Sequence, residues 1–127
     1  IRDRIKTVGD AIVAVSGLSS FDTQSVKNCV DCGYKLREIA SNLETPWDLH
    51  IGIHYGSLVA GTVGDKTVQY DIGQNVNIAF NICDISEPNQ ILISNDAYMT
   101  VRNEINVKSI GMKRLKSGKE TEVLECI

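Results

Sequence analysis

Lys6-Thr7-Val8-Gly9-Asp10-Ala11-Ile12-Val13-Ala14-Val15-Ser16-Gly17 sets a carboxylate directly after a glycine, between two apolar, β-prone runs. The pattern predicts strands over residues 4–8 and 11–16 joined at Gly9-Asp10, because glycine and aspartate accept the backbone angles of tight turns. The second run, Ala11 to Val15, is apolar throughout, as in a strand covered on both faces. Asp10 then stands beside the turn, with Lys6 four residues back on the entering strand. A carboxylate oxygen for a cation and a positive side chain for a polar ligand are thus encoded close together. Taken alone, Asp10 reads more readily as a plain turn residue, since Gly-Asp is common in hairpins. One carboxylate is also too few for a two-metal site, so any partner ligand comes from elsewhere.

Outward from this hairpin, Asp22 or Thr23 is placed to cap a helix running to about Leu43. Its apolar positions Val26, Cys29, Val30, Gly33, Leu36, Ile39, Ala40 and Leu43 recur at three- and four-residue intervals. Pro46 lies beyond its end. Leu49 to His54 and Ser57 to Val63 read as strands, with Tyr55-Gly56 allowing a tight link and Gly64-Asp65-Lys66 a turn. Gln74 to about Asp84 reads as a helix with Val76, Ala79, Phe80 and Cys83 on one face. Gln90 to Ser94 follows the Pro88-Asn89 turn as a short buried strand. Asp96 to Val101 is a short helix capped by Asn95 or Asp96. Residues 105–110 and 121–126 close the chain as two strands around a basic loop. The order ββαββαβαββ predicts an α+β fold: a ferredoxin-like mixed β-sheet with helices packed on one side of it.

The bulk properties narrow the function classes. The 127 residues suffice for one domain with a real core. A net charge of −3 argues against a nucleic-acid partner, which calls for a basic face. No apolar run approaches the roughly 20 residues needed to span a bilayer. The chain begins at Ile1, within an expected strand, and reads as part of something longer. Of the four cysteines, Cys29 and Cys32 form a C-x-x-C inside a helical pattern with no second pair. That favours reduced, packed thiols over a zinc or redox site.

Three further segments carry candidate chemistry. Residues 51–64 are dense in glycine, at Gly52, Gly56, Gly61 and Gly64, which marks bulges or close backbone approach. His54 within it is expected to be structural rather than a base. Tyr70-Asp71-Ile72-Gly73 opens a helix whose start offers unpaired N–H groups to an anion, with Asn77 one turn in. Lys113, Arg114, Lys116 and Lys119 form the basic loop, either a solvated turn or a surface for a polyphosphate.

Together these segments resemble the class III nucleotidyl cyclase catalytic domain, the adenylate/guanylate cyclase family. The resemblance rests on K-T-V-G-D-A-I-V-A-V-S-G at 6–17, I-G-I-H-Y-G-S-L-V-A-G-T-V-G at 51–64 and V-N-I-A at 76–79. Q-I-L-I-S at 90–94 and the 111–124 ending support it, in the same order and over nearly the whole chain. It implies two domains paired head to tail, with the active site between them. It implies a purine nucleoside triphosphate bound with two Mg²⁺ (or Mn²⁺). The ribose 3′ oxygen attacks the α-phosphate, giving a 3′,5′-cyclic nucleotide and pyrophosphate. By position, Asp10 matches a metal carboxylate, Lys6 the residue that reads the purine edge, and Asn77 the asparagine that orients the ribose. Asp71 matches the second base selector, and Lys116 or Lys119 a lysine touching the triphosphate. Lysine and aspartate at the selector positions favour ATP over GTP. A homodimer, upstream regulatory domains and a cytoplasmic setting for the domain follow from the same resemblance.

The sequence also departs from the family pattern. The other metal aspartate of the family lies upstream of the Lys6 position and has no counterpart here, so residues 1–127 are expected to be an N-terminally incomplete single domain, inactive alone. Asn81 stands where most members carry an arginine that meets the transition state. The Asp71-Gly73 spacing is one residue short, which leaves Tyr70 an alternative to Asp71. Phe80 replaces a small residue. These departures keep a second expectation open: a weak or inactive cyclase-like nucleotide-sensing or dimerisation module. A third is an unrelated ferredoxin-like binding domain.

Overall fold

The computed structural model describes residues 4–8, 10–16, 24–56, 60–63, 67–70 and 74–127, with backbone pairing alone for 4–8, 60–63 and 67–70. The expectations placed on Gly9, Asp22, Thr23, the Gly64-Asp65-Lys66 turn and Asp71 lie outside these residues.

The elements run β1 (Arg4–Val8), β2 (Ala11–Val15), α1 (Ser25–Ser41), β3 (His50–Ile53), β4 (Ala60–Val63), β5 (Thr67–Tyr70), α2 (Gln74–Asp84), β6 (Gln90–Ser94), α3 (Asn95–Tyr98), β7 (Val107–Arg114) and β8 (Glu120–Cys126). The core sheet has the order β3-β6-β8-β7. β3 runs parallel to β6, and β6, β8 and β7 are successively antiparallel. β1 pairs with β2, and β4 with β5, as separate antiparallel hairpins. The expected α+β architecture around a mixed sheet is present.

Side-chain alternation along the core strands decides where the helices lie. Ile91 and Ile93 of β6 and Leu124 and Cys126 of β8 pack with Val26 and Val30 of α1 and with Ala97 of α3. Leu92 and Val123, the intervening positions, pack instead with Ile78 and Ile82 of α2 and with Leu115. Successive strand residues point to opposite faces, so α1 and α3 cover one face and α2 the other. The helices are not confined to one side, contrary to the sequence-based expectation. β6 is apolar at Ile91, Leu92 and Ile93 because both its faces are buried.

Gly52 makes the α2 packing possible. A Cβ there would lie 2.5 Å from the Cys83 nitrogen and 2.6 Å from the Ala79 carbonyl oxygen, so the helix backbone rests directly on β3. The face of α2 that meets the sheet centres on Ile78 and Ile82, both buried. The stripe expected from Val76, Ala79, Phe80 and Cys83 is only partly buried, one step round the helix. α1 differs similarly. Val26, Val30, Gly33 and Ala40 are buried, whereas Leu36, Ile39 and Leu43 are exposed. Ile39 precedes Ala40 by one residue, about 100° round the helix.

Other boundaries also shift. Thr67-Val68-Gln69-Tyr70 is a strand, β5, that the sequence reading had not assigned, and β4 pairs with it rather than with β3. β3 reaches β6 instead through Asn89, in the expected Pro88-Asn89 turn, with φ 64°. Asn89 Oδ1 accepts from the Leu49 N–H at 3.0 Å, and its own N–H donates to the Leu49 carbonyl at 2.6 Å. Ser94 caps α3 through its side chain, not Asn95 or Asp96, and α3 ends by Tyr98. β7 extends to Arg114, so Lys113 and Arg114 are strand residues. Among the described residues no helix is long and apolar enough to cross a membrane.

Candidate functional site

Asp10 is exposed at the turn between β1 and β2, next to the closing pair Val8↔Ala11. Lys6 sits on β1 opposite Val13. The register therefore places both on one hairpin, as the sequence implied. Asp71 lies outside the described residues, and Tyr70 is placed by backbone alone, opposite Ala60.

α2 and the β7–β8 turn form the second part of the site. Asn77 is exposed in the first turn of α2. Asn81, one turn on, is half-buried, and its Oδ1 accepts the Ser117 N–H at 3.1 Å. That bond fastens the turn carrying Lys116 and Lys119 to the helix. Leu115 reinforces it: 3% exposed, it packs against the Ile78–Ile82 face. The turn itself closes with the Leu115 N–H donating to the Lys119 carbonyl at 2.9 Å and with Gly118 at φ 93°. Lys116 Nζ stands 3.9 Å from Asp84 on α2, and Lys119 Nζ 3.5 Å from Asp96 on α3. The Lys116–Asp84 pair is exposed and contributes about 0–1 kcal/mol, whereas Lys119 is half-buried beside an exposed Asp96. Sequence reasoning identified the lysines but not these acidic partners, because nothing local signals which helices the hairpin folds against.

A third group, at the ends of β3 and β6, joins the two lysine-bearing and asparagine-bearing segments. His54 Nε2 lies 3.0 Å from Asn75 Oδ1, and His54 Nδ1 lies 2.8 Å from Ser94 Oγ. A carbonyl oxygen only accepts, so Nε2 carries the proton and Nδ1 accepts from the Ser94 hydroxyl. Ser94 Oγ in turn accepts the Ala97 N–H at 3.2 Å. Burial depresses the His54 pKa below its ordinary 6.5 and Lys119 adds to this; the Asn75 bond and Asp96 oppose them. Gly56 lets the Asn75 amide lie close, since a Cβ there would fall 2.5 Å from the amide carbon. Asn75 and Ser94 had not been singled out from the sequence; the glycine-dense setting of His54 was the only signal.

Asp10 suits one hard divalent cation, with a carboxylate reaching solvent and its remaining ligand positions left to phosphate oxygens and water. Among the described residues no group of three or more His, Cys, Asp or Glu side chains is gathered for a metal. Cys126 is buried and Cys29, Cys32 and Cys83 are half-buried; burial pushes Cys29 and Cys126 up to about 11 and also raises Cys83. Raised values keep the nucleophilic thiolate scarce.

The sequence model described as the adenylate and guanylate cyclase catalytic domain matches residues 2–125. The chain is 32% identical over 106 residues to guanylate cyclase soluble subunit alpha-2 of Rattus norvegicus, covering 80% of the chain and 14% of that protein. It is 37% identical over 81 residues to adenylyl cyclase X E of Drosophila melanogaster, covering 60% and 7%. Against an adenylate cyclase of Mycobacterium tuberculosis it is 28% identical over 125 residues, covering 88% and 28%. The chain thus spans a minor part of each relative. Among solved structures, the guanylate cyclase domain of RhGC from Catenaria anguillulae, in complex with GTP, superposes with a TM-score of 0.86 at 20% identity, over 96% of this chain and 70% of that one. The adenylyl cyclase CyaB from P. aeruginosa gives 0.79 at 24%, over 97% and 70%. These superpositions establish a nucleotide cyclase fold.

Proposed function

Because the chain belongs to the adenylate and guanylate cyclase catalytic domain family, we propose that it is the catalytic domain of an adenylate cyclase, converting ATP to 3′,5′-cyclic AMP and pyrophosphate. Relatives named as guanylate cyclases and as adenylate cyclases both match it, so the choice of base rests on this chain's own residues. The observation that carries the reading is Lys6, four residues before Asp10 on the β1–β2 hairpin. A lysine donates to N1 of adenine, an acceptor; guanine N1 bears a proton and would leave the ammonium unpaired. Asp71, or Tyr70 in the alternative spacing, accepts from the adenine 6-amino group. A mismatched base leaves buried polar groups unsatisfied, which discriminates strongly.

In this reading Asp10 holds Mg²⁺ or Mn²⁺, two of which serve each site. Such ions, when bound, would supply positive charge to the ribose 3′ oxygen and to the phosphate oxygens. Asn77 orients the ribose from the first turn of α2. Lys116 and Lys119 offer positive charge to the triphosphate, exchanging Asp84 and Asp96 for phosphate oxygens. Residues 1–127 form one catalytic-domain unit whose other metal carboxylate lies upstream, so the unit alone turns over little nucleotide. A twofold homodimer would place Lys6 and Asp71 in one composite site and Asp10 in the other. Upstream regulatory domains would complete the parent protein, with this domain on the cytoplasmic side.

One observation favours a second reading. Asn81, at the family's arginine position, spends its Oδ1 on the Ser117 N–H and brings no positive charge to the transition state. Loss of such a stabiliser costs about 3–4 kcal/mol of barrier. The chain would then be a weak or silent nucleotide-sensing or dimerisation module.

The test uses the domain extended upstream, incubated with Mn²⁺ and either ATP or GTP, with cyclic AMP and cyclic GMP quantified. Cyclic AMP that disappears with Asp10→Ala supports the adenylate cyclase. Cyclic GMP as the main product overturns the Lys6 reading. Nucleotide binding without product favours the sensing module.

A further inference from the structure

We propose that His54 is a positioning residue of the nucleotide site, holding the Asn77-bearing first turn of α2 in register with the start of α3 and the Lys119 turn. The catalytic consequence rests on the cyclase reading; the network itself does not. Its members come from four separate parts of the chain. His54 follows β3, and Asn75 opens α2 two residues before Asn77. Ser94 ends β6 and caps α3, with zero exposure. Asp96, on α3, stands 3.5 Å from Lys119. Hydrogen bonds of 3.0, 2.8 and 3.2 Å run from Asn75 through His54 and Ser94 to the Ala97 N–H.

The direction of each bond gives the network two states. With His54 neutral, Nε2–H donates to Asn75 and Nδ1 accepts from Ser94, so every polar atom in the line is matched. Protonation of Nδ1 removes that acceptor and sets two donors, the imidazolium N–H and the Ser94 hydroxyl, against each other. The Ser94 hydroxyl would have to turn its own proton away and offer its second lone pair to Nδ1–H, which reverses the bond and disturbs the joint between α2 and α3. The charged groups facing His54 are Asp96 on α3 and Lys119 on the β7–β8 turn, of opposite sign. Asn75 on α2 contributes an amide dipole. Burial holds His54 neutral near neutral pH. A shift of the Asn77 turn by about 1 Å is enough to lower turnover by roughly 10- to 100-fold.

The test uses the parent protein, in wild-type form and as His54→Gln and Asn75→Asp. Imidazole ¹⁵N NMR follows the His54 tautomer and titration, amide exchange follows residues 74–78, and kcat and KM for ATP with Mn²⁺ are measured from pH 5 to 8 (about the range in which a histidine titrates). Asn75→Asp keeps the acceptor for Nε2–H but adds a negative charge, which raises the His54 pKa. The acid limb of kcat is expected to move up by about one pH unit or more. His54→Gln keeps a donor for Asn75 and does not titrate, so the limb is lost. A simple packing role leaves the limb of the folded variants where it was. A His54 titration that shifts in Asn75→Asp while the kcat limb stays overturns the proposal. If the wild-type parent forms no cyclic nucleotide, the cyclase reading fails separately. Amide exchange then decides: faster exchange at residues 74–78 on His54 protonation supports the positioning role, and unchanged exchange sinks it.

Discussion

The β7–β8 and β1–β2 hairpins each carry charged candidate ligands at a turn, yet they are held by different means. The β7–β8 turn is fixed from three directions. Leu115 is buried against α2, Asn81 accepts the Ser117 N–H, and β8 lies inside the core sheet. The β1–β2 hairpin pairs only with itself among the described residues, and Ile12 on it is 64% exposed. A lone two-stranded hairpin is marginal in water. The lysines are therefore positioned by this chain's own core, whereas the placement of Asp10 and Lys6 depends on what else packs against their hairpin. In the proposed twofold dimer, the half of the site carried by this chain's core would be preformed and the other would be completed on association.

The sharpest way to break the rigid half is Gly52→Ala. With 2.5 Å between the new Cβ and the Cys83 nitrogen, α2 must lift from β3. A loss of about 3 kcal/mol or more is expected, read as a fall in the urea midpoint; unchanged stability would mean that the helix does not rest on β3. Next comes Asn81→Ala, which leaves the Ser117 N–H without its acceptor. About 1 kcal/mol of stability is expected to go, together with a rise in KM for ATP if Lys116 or Lys119 meets phosphate. A KM change without a stability change would place Asn81 in direct contact with substrate instead.

Acid supplies a graded perturbation of the same half. The pKa of His54 is lowered in the folded chain chiefly by burial. The stability this neutral state contributes is fully present above its ordinary value of 6.5 and is lost as pH falls from there through the depressed folded value. The unfolded chain takes up the proton first, so stability falls with pH. Urea midpoints of wild type and His54→Gln should therefore diverge in pH dependence only below that point. The smallest effect belongs to the other hairpin. Ile12→Ser should change unfolding stability by under about 0.5 kcal/mol, as for other exposed positions. If a second copy covers the hairpin, the same change weakens self-association, measured by sedimentation at several concentrations. A large stability loss in a monomeric sample would show that the hairpin is already packed within one chain.

Much was legible in sequence because the governing physics is local. The Gly9-Asp10 punctuation fixed the first hairpin. The apolar run Ile91-Leu92-Ile93 announced a short buried strand, and Pro88-Asn89 marked the turn before it, whereas the similar run Ala11 to Val15, read as covered on both faces, leaves Ile12 exposed. Asn77 and the lysine turn were named as candidates by residue type and order, and the structure places them on the first turn of α2 and between β7 and β8. Other features were not local. The faces of α1 and α2 were misjudged by about one position, because apolar residues on a helix's flank satisfy the same periodicity as those beneath it. β4 was assigned the wrong neighbour: strand pairing at a distance is settled by competition between whole surfaces, and Thr67–Tyr70 was available to pair.

The sequence by itself determined the α+β class, the family, and the residue types at the candidate site, since turn chemistry, alternation and ordered motifs are written along the chain. Only the tertiary structure decided that α2 lies on the opposite face from α1 and α3. It alone turned Asn81 into the anchor of the lysine turn, and it alone joined His54, Asn75 and Ser94 into one hydrogen-bonded line. The reason is one of range. Propensity and spacing act over a few residues, while Asn81 and Ser117 are 36 positions apart and His54 and Ser94 are 40 apart. Closure of the core sheet is what brings their polar atoms within 3.1 Å.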